Sequence, residues 1–435
     1  MIAQGLKEKL TIAVEDRLLR RGQPLLFESG KRGFAPFLSF MEEKMKKLTL
    51  YAMFILFLSS SLMADSFSLS FFQNMTNNLF QNSYAEPDQV STLNFYVDKN
   101  FSQVSIFTQG NYAYLFENPN LTYYVHDLGL DYLHPINQKT ALYFSLAGRG
   151  AFWRSDYSDF NYFSVNFFSA LKTYLSQTSI LKANYSLEYK DYKYSIFDFL
   201  SNSIHASMDK YFQTKTTLRA EMNWGYKYFL HPFLSQEVIL VDENRYFLGG
   251  NGKGKGKSSG ARQYQYVMST KGEGKGIQAF SLTGLIAQGL GNKVGLRLSG
   301  MKQWTLSGNN PFTFIEEFYA VENPSYDRFS WAGYELGTLL TVLMPWNIQL
   351  KMGYTMTNKE FPGIESLSLE GDSLGIIRKD ERKRFEVEAE KNFSKFSLFF
   401  SYFYVDNNSN DPFFEWKGHF FSAGIEWNIS LGERR

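Results

Sequence analysis

The stretch AGIEWNISL, Ala423 to Leu431, alternates strictly between two kinds of residue close to the C-terminus. Every second residue is apolar, and the residues between them are Gly424, Glu426, Asn428 and Ser430. Because successive side chains of a β-strand point to opposite faces, this strand has one apolar and one polar face. Two environments fit such a strand: a soluble sheet that covers a core, or a membrane strand between lipid and a wet lumen.

The same alternation continues over ten or more residues in other segments. It is clearest in ILKANYSLEYK (180–190), TLRAEMNWGY (217–226) and NIQLKMGYTM (347–356). Strands of soluble proteins usually span about five or six residues, whereas a tilted strand that crosses a bilayer needs about 9–11. The length therefore favours transmembrane strands, which must close into a barrel because lipid does not tolerate unpaired edges.

Short polar turns give the expected number of strands. They lie at residues 99–103, 135–140, 175–179, 212–216, 290–293, 344–347 and 391–395. If both chain termini lie on the side of these turns, the chain forms about 16 strands, with 14 to 18 as the range. The predicted fold is all-β: a single antiparallel transmembrane β-barrel.

The composition supports strands. Aromatic residues make up 18% of the 435 residues, and the 33 glycines far outnumber the 11 prolines. This balance suits strands better than helices. The mean hydropathy of −0.29 argues against a helical membrane protein, and the absence of cysteine excludes disulfides and thiolate metal sites.

One long apolar run, LTLYAMFILFLSSSLMA (48–64), follows Lys44, Lys46 and Lys47. A basic region before a short apolar stretch that ends in small residues predicts a signal peptide, residues 41–64, with cleavage after Ala64. The alternative is an uncleaved N-terminal anchor, because Leu62 occupies a position where a small residue is preferred.

A signal peptide at residues 41–64 has a consequence for the preceding segment. We expect translation to begin at Met41 or Met45, and residues 1–40 to be a non-structural extension or a misassigned start. Residues 65–435 then form the barrel, with one long loop at about 231–276. Without residues 1–64 the chain holds 35 basic and 37 acidic residues, so no global basic field for nucleic acid remains.

Residues 66–431 resemble bacterial outer-membrane β-barrels of the porin-like type, which implies an exported protein of a Gram-negative-type outer membrane. The closing strand is also similar to the C-terminal signal that the outer-membrane assembly machinery reads. The residues that carry this resemblance are Gly424, Trp427, Ile429 and Leu431. The chain departs from the usual signal because it continues beyond them to Arg435.

The polar faces of the predicted strands carry charges of both signs, as expected of a hydrated interior. The candidate lumen-facing charges are Lys182, Glu188, Arg219, Glu221, Arg297, Lys351, Arg384, Glu386, Glu388 and Glu426. Tyr and Trp at strand ends predict interfacial girdles in contact with lipid headgroups. The examples are Trp153, Trp224, Tyr404 and Trp427.

The long loop contains GGNGKGKGKSSG, residues 249–260. Its end is similar to a phosphate-binding P-loop, but Asn251 stands where that motif requires Gly and no helical pattern follows. The loop is either a solvated flexible segment or a basic cap or constriction that attracts anionic solutes or lipopolysaccharide phosphates. The cap would consist of Lys253, Lys255, Lys257, Arg262, Lys271 and Lys275.

Catalytic chemistry has little support in the sequence. The five histidines lie in different segments without a metalloprotease or phospholipase motif, and His126 and Asp127 point to opposite faces if their segment is a strand. In RKDERKRFEVEAE (378–390) one strand face would carry Arg382, Arg384, Glu386, Glu388 and Glu390, opposite Phe385, Val387 and Ala389. This pattern favours a lumen salt-bridge ladder over a cation site. We expect no enzyme activity, metal or cofactor.

These features predict an outer-membrane channel through which small hydrophilic solutes or ions diffuse passively. The alternative is a barrel plugged by its loops, with a structural, adhesive or assembly-partner role. The expected partners are the lipid bilayer, lipopolysaccharide, the assembly machinery and small solutes, but not nucleic acid.

Overall fold

The computed structural model describes residues 64–193, 197–230, 276–310, 327–368 and 372–430. Within these ranges no helix is long and apolar enough to cross a membrane. The predicted signal peptide, the six cations of the long loop and Leu431 lie outside the described residues, apart from Ala64. Their interpretation stays a prediction.

The described residues form sixteen strands, β1 to β16. Their bounds are Ser66–Thr76, Asp88–Phe101, Val104–Leu115, Tyr123–Pro135, Thr140–Trp153, Tyr162–Ser176, Ser179–Tyr192, Phe199–Tyr211, Thr216–Phe229, Gly276–Leu290, Val294–Ser307, Ala332–Met344, Ile348–Leu367, Ser373–Asn392, Phe396–Ser409 and Trp416–Ser430. Among the connections that the structure describes in full, four short 3₁₀ helices lie at Pro119–Leu121, Ser155–Phe160, Pro345–Asn347 and Pro412–Phe414. The number of strands predicted from the sequence is confirmed.

Every strand pairs with its neighbours in chain order, and β1 also pairs with β16, so the sheet is a closed antiparallel barrel. The first and last strands pair from Ser66 opposite Ser430 to Thr76 opposite Phe420. All seven predicted short turns connect strands at one end of the barrel, here called the turn end. The longer connections lie at the opposite end, the loop end, and the longest one finishes at residue 275, since β10 begins at Gly276.

The two faces of the strands differ as the alternation predicts. On β8, Ser203 and Asp209 are buried whereas Ile204 and Met208 are about half exposed. Large apolar side chains are exposed in the same alternating way on other strands, for example Met222 on β9 and Leu282 on β10. Exposed apolar side chains around a closed barrel form a lipid-facing surface, so the polar face is the inner one.

Aromatic side chains divide between the two faces. Tyr404 of β15 packs against outward-facing His419, and Trp224 alternates with inward-facing Asn223, so Tyr404 and Trp224 lie on the outer face as predicted. The prediction for Trp153 is wrong. Its side chain lies on the inner face, where it packs against Tyr162 and a cluster of buried aromatic residues at the loop end. Trp153 shares its strand face with buried Ala151, two residues earlier. Alternation along β5 therefore indicates the inner face, whereas the position of Trp153 at the end of the strand does not indicate a face.

Barrel closure leaves little space for a side chain at Gly424 on the inner face of β16. A Cβ atom there would lie 2.2 Å from Phe72 Cδ1 and 2.8 Å from the carbonyl oxygen of Phe71 on β1. A phenyl ring can move aside, but a backbone oxygen in the closing ladder cannot move without disturbing the pairing. Gly284 on β10 offers a matched control, because a Cβ atom there meets nothing within 4 Å.

We expect Gly424→Ala to lower the free energy of unfolding by about 1–3 kcal/mol, because the added methyl group overpacks the closing strand pair. The measurement is the midpoint of urea unfolding in detergent micelles. Gly284→Ala should leave this midpoint nearly unchanged. Equal midpoints for the two variants would show that the contact with Phe71 does not constrain closure.

Candidate functional site in the barrel lumen

The inner face of the barrel carries all ten charges that were predicted to face the lumen. Their positions follow from the strand registers and from contacts with buried inner residues: Lys182, Glu188, Arg219, Glu221, Arg297, Lys351, Arg384, Glu386, Glu388 and Glu426. Glu426, for instance, lies opposite Ser70 and Ser397, which are both buried. The structure thus places these charges on one continuous wall.

Asp209 on β8 holds one group of these charges together. Its carboxylate is fully buried and accepts hydrogen bonds from Lys182 Nζ at 2.9 Å and from the guanidinium of Arg219. Arg219 also lies 3.4 Å from Glu221. Asp209 was not among the predicted lumen-facing charges, although it shares a strand face with Ser207 and alternates with apolar Met208. Asp209 balances two cations that would otherwise repel each other.

A second group of charges follows the inner face of β14. Arg384 donates to Glu386 at 2.8 Å, and Lys351 of β13 donates to Glu388 at 3.4 Å. The predicted salt-bridge ladder therefore forms, with the arginines toward the loop end and Glu386, Glu388 and Glu390 toward the turn end. In these pairs each carboxylate already faces a cationic side chain.

Arg378 extends this ladder at the loop end. Its side chain is 1% exposed, donates to Asp380 at 2.5 Å and 3.0 Å, and lies over the ring of Phe414. Nearby Asp411 accepts hydrogen bonds from the amides of Leu367 and Phe413, while burial raises the pKa of its carboxyl group. These contacts fasten the loop between β15 and β16 over the inner wall.

A third ion pair, between Arg149 and Asp127, was not predicted from the sequence. Arg149 of β5 donates to both carboxylate oxygens of Asp127 on β4, at 2.7 and 2.8 Å, and Gln109 of β3 donates to the same group at 2.6 Å. Such bidentate contacts fix the direction of both side chains. Alternation in LAGRGAFW (146–153) could have identified Arg149, but its glycines obscured the apolar pattern.

The histidines do not converge. His126 bonds Tyr124 and Thr108 on the outer face while Asp127 faces inward, as predicted for strand neighbours. His205 contacts Asn223, and His419 contacts Tyr402. His231 lies outside the described ranges. Within those ranges, no group of three or more His, Asp or Glu side chains could hold a metal ion.

The described residues that resemble a C-terminal assembly signal lie on both faces of β16. Gly424 lies inward between Phe72 and Phe399, whereas Trp427 and Ile429 belong to the alternating outer face. Glu426 and Asn428 point inward, and Asn428 donates to Glu426 at 3.0 Å. Of the two environments that fit AGIEWNISL, the structure shows the second, since this strand closes the barrel between lipid and lumen.

No protein-family model and no curated protein matches this sequence. Among solved structures, OccAB1 of Acinetobacter baumannii has 8% identity and a TM-score of 0.48, covering 84% of this chain and 96% of that chain. OccK8 (OprE) of Pseudomonas aeruginosa has 9% identity and a TM-score of 0.46, covering 84% and 98%. CdiB of Acinetobacter baumannii has 9% identity and a TM-score of 0.46, covering 83% and 60%.

With such low identities and TM-scores, the assignment rests on this chain's own architecture. Sixteen antiparallel strands close into a barrel with an apolar outer band and a charged inner wall. Only closed barrels and helices satisfy all backbone hydrogen bonds in lipid. The protein is a closed sixteen-stranded transmembrane β-barrel of porin-like architecture.

We expect Asp209→Asn to lower the free energy of unfolding by about 2 kcal/mol, because it leaves two partly buried cations without their shared counter-charge. Urea unfolding of the folded barrel in micelles measures the change. Glu388→Gln is the control, since its ion pair with Lys351 is about one-third to one-half exposed, and it should cost about 0–1 kcal/mol. The account of this cluster fails if Glu388→Gln costs as much as Asp209→Asn.

Proposed function

We propose that this protein is a channel for the passive diffusion of small hydrophilic solutes or ions across the outer membrane. The observation that carries the proposal is the inner wall, which is lined by charged and polar side chains from the turn end to the middle of the strands. Barrels of 16 to 18 strands are wide enough to leave an aqueous channel inside. Selection in such a channel depends on its width and on its fixed charges.

The mechanism requires no covalent chemistry. Hydrated solutes would pass along a wall on which both signs of charge are held in ion pairs, such as Arg149 with Asp127 and Arg384 with Glu386. Paired charges keep the lumen hydrated without binding a single ion tightly, which permits passage. No enzymatic step and no cofactor belongs to this function.

A specific observation supports the alternative of a plugged barrel. Buried apolar clusters line the inner side at the loop end, including Leu79, Leu115 and Leu121 in one cluster and Trp331, Phe361 and Ile364 in another. Such clusters show that described parts of the loops pack inward. A barrel sealed in this way would serve through its loops as a structural, adhesive or assembly partner.

Single-channel recording distinguishes the two functions. We expect the folded protein, purified from outer membranes and inserted into a planar bilayer, to give steady conductance steps, because a charged lumen is hydrated. A salt gradient then gives the ratio of anion to cation permeability. Silence from a heat-modifiable barrel that is demonstrably inserted would contradict the channel and favour the plugged barrel.

The basic loop is a further proposal on the same site. If Lys253, Lys255, Lys257, Arg262, Lys271 and Lys275 contribute to the pathway, their replacement by Gln should shift the permeability ratio toward cations, since a positive field near an entrance concentrates anions. The shift should shrink at high salt because of screening. An unchanged ratio at low salt would remove this loop from the pathway.

The expected partners of the protein follow from its proposed location in the outer membrane. The apolar outer surface contacts the lipid bilayer, and we propose that the outer-membrane assembly machinery recognises the closing strand through Gly424, Trp427 and Ile429, together with Leu431. Lipopolysaccharide phosphates are proposed ligands of the basic loop. Nucleic acid is not an expected partner of a nearly neutral barrel.

A further inference from the structure

The residues that precede β12 lie inside the barrel. Phe329 packs into a buried cluster with Phe199, Phe229 and Ile277, which belong to the inner faces of β8, β9 and β10. A Cβ atom on Gly225, an inner position of β9, would lie only 2.6 Å from Phe329 Cε1. The segment 327–331, here called the inner segment, therefore runs along the lumen wall and reduces the cross-section there.

A buried ion pair anchors this inner segment to the wall. Lys227 Nζ of β9 lies 2.9 Å from Asp327 Oδ2, and the two side chains are 2% and 4% exposed. Lys227 also lies over the ring of Phe199, with 4.2 Å from Nζ to the centroid. Removing one partner of such a pair leaves an uncompensated buried charge, so the pair strongly favours the inward position.

Two amide side chains hold the inner segment from its other side. Gln303 of β11 donates from Nε2 to the carbonyl oxygens of Arg328 and Trp331, both at 2.7 Å. Asn310 donates to Ser330 Oγ at 2.6 Å. These contacts fix the backbone on both sides of Arg328 and thereby restrict where its side chain can lie.

Arg328 differs from every other residue of the inner segment. Asp327, Phe329, Ser330 and Trp331 are buried, whereas Arg328 is exposed. Its guanidinium carbon lies 4.8 Å from the centroid of the Phe329 ring. Arg328 is thus the one exposed residue of the otherwise buried inner segment.

We propose that Arg328 is a specificity-determining residue of the channel, presented to passing solutes by the inner segment, and that Lys227 is its positioning residue. The proposal rests on the diffusion function proposed above. A fixed charge acts most strongly where the aqueous section is reduced, because fewer water molecules and ions screen it. Arg328 should attract anions and disfavour cations at this section of the lumen.

The test is the reversal potential of single channels under a salt gradient, measured for the whole protein. Arg328→Glu should shift the ratio of cation to anion permeability upward by about threefold or more at low salt, and Arg328→Gln should give an intermediate value. Lys379→Glu is the matched control, since it makes the same charge change on an exposed outward-facing residue of β14. Its permeability ratio should equal that of the unmodified protein.

The outcomes separate the two proposals. Conductance in the unmodified protein together with equal ratios for Arg328→Glu and Lys379→Glu would overturn the role of Arg328 and leave the channel intact. An unmodified barrel that inserts but does not conduct would overturn the channel and the role of Arg328 together.

The role of Lys227 has its own readout. In a Lys227→Met background the inner segment should no longer be held, so Arg328→Glu should lose most of its effect on the permeability ratio. The chain contains no cysteine, so Ser330→Cys supplies a single thiol at a position that is 3% exposed. We expect a hydrophilic thiol reagent to label it about tenfold faster in the Lys227→Met background, since local opening governs reaction of buried groups.

Heat-modifiable migration on gels confirms that each variant is folded, and Asp327→Asn replaces Lys227→Met if that variant does not fold. Equal labelling rates with and without Lys227, or an undiminished effect of Arg328→Glu in its absence, would show that Lys227 does not position Arg328.

Discussion

The hydrogen-bonded pairing of the first strand with the last is the constraint on which the rest of the structure depends. An open sheet in lipid would leave backbone donors and acceptors without any partner, at a cost of several kcal/mol for each group. β1 avoids this by pairing over its whole length, Ser66 to Thr76, with β16 on one side and β2 on the other. Closure also decides which face of every strand meets lipid. Alternate side chains of each strand therefore face lipid on the outside and the lumen on the inside.

The inner face is polar toward the turn end and increasingly packed toward the loop end. Ion pairs such as Lys182 with Asp209 lie near the turns, where opposite charges stabilise each other beside water. Near the loops the same inner face carries Phe199, Phe229 and Ile277, which receive Phe329. The barrel thus combines a polar wall with a docking surface for the inner segment, and this segment carries the exposed Arg328.

Local sequence pattern predicted the features that depend on neighbouring residues. The turns, the number of strands and the inward direction of charges such as Glu188 follow from periodicity two and from turn composition. Features that depend on distant partners were not predictable, because alternation gives the face of a side chain but not its contact. Lys227 and Asp327 are separated by 100 residues and meet only after closure. Trp153 illustrates the same limit, since its neighbours on the inner wall come from other strands and a loop.

The most direct test of the central claim, that alternate side chains meet lipid and water, is a cysteine scan of β9 from Leu218 to Asn223. The chain has no native cysteine, so each substitution gives one thiol. In outer membranes treated with a hydrophilic thiol reagent, we predict that positions 219, 221 and 223 react and that positions 218, 220 and 222 do not. Uniform reaction along the strand, or reaction of the even positions alone, would contradict the account.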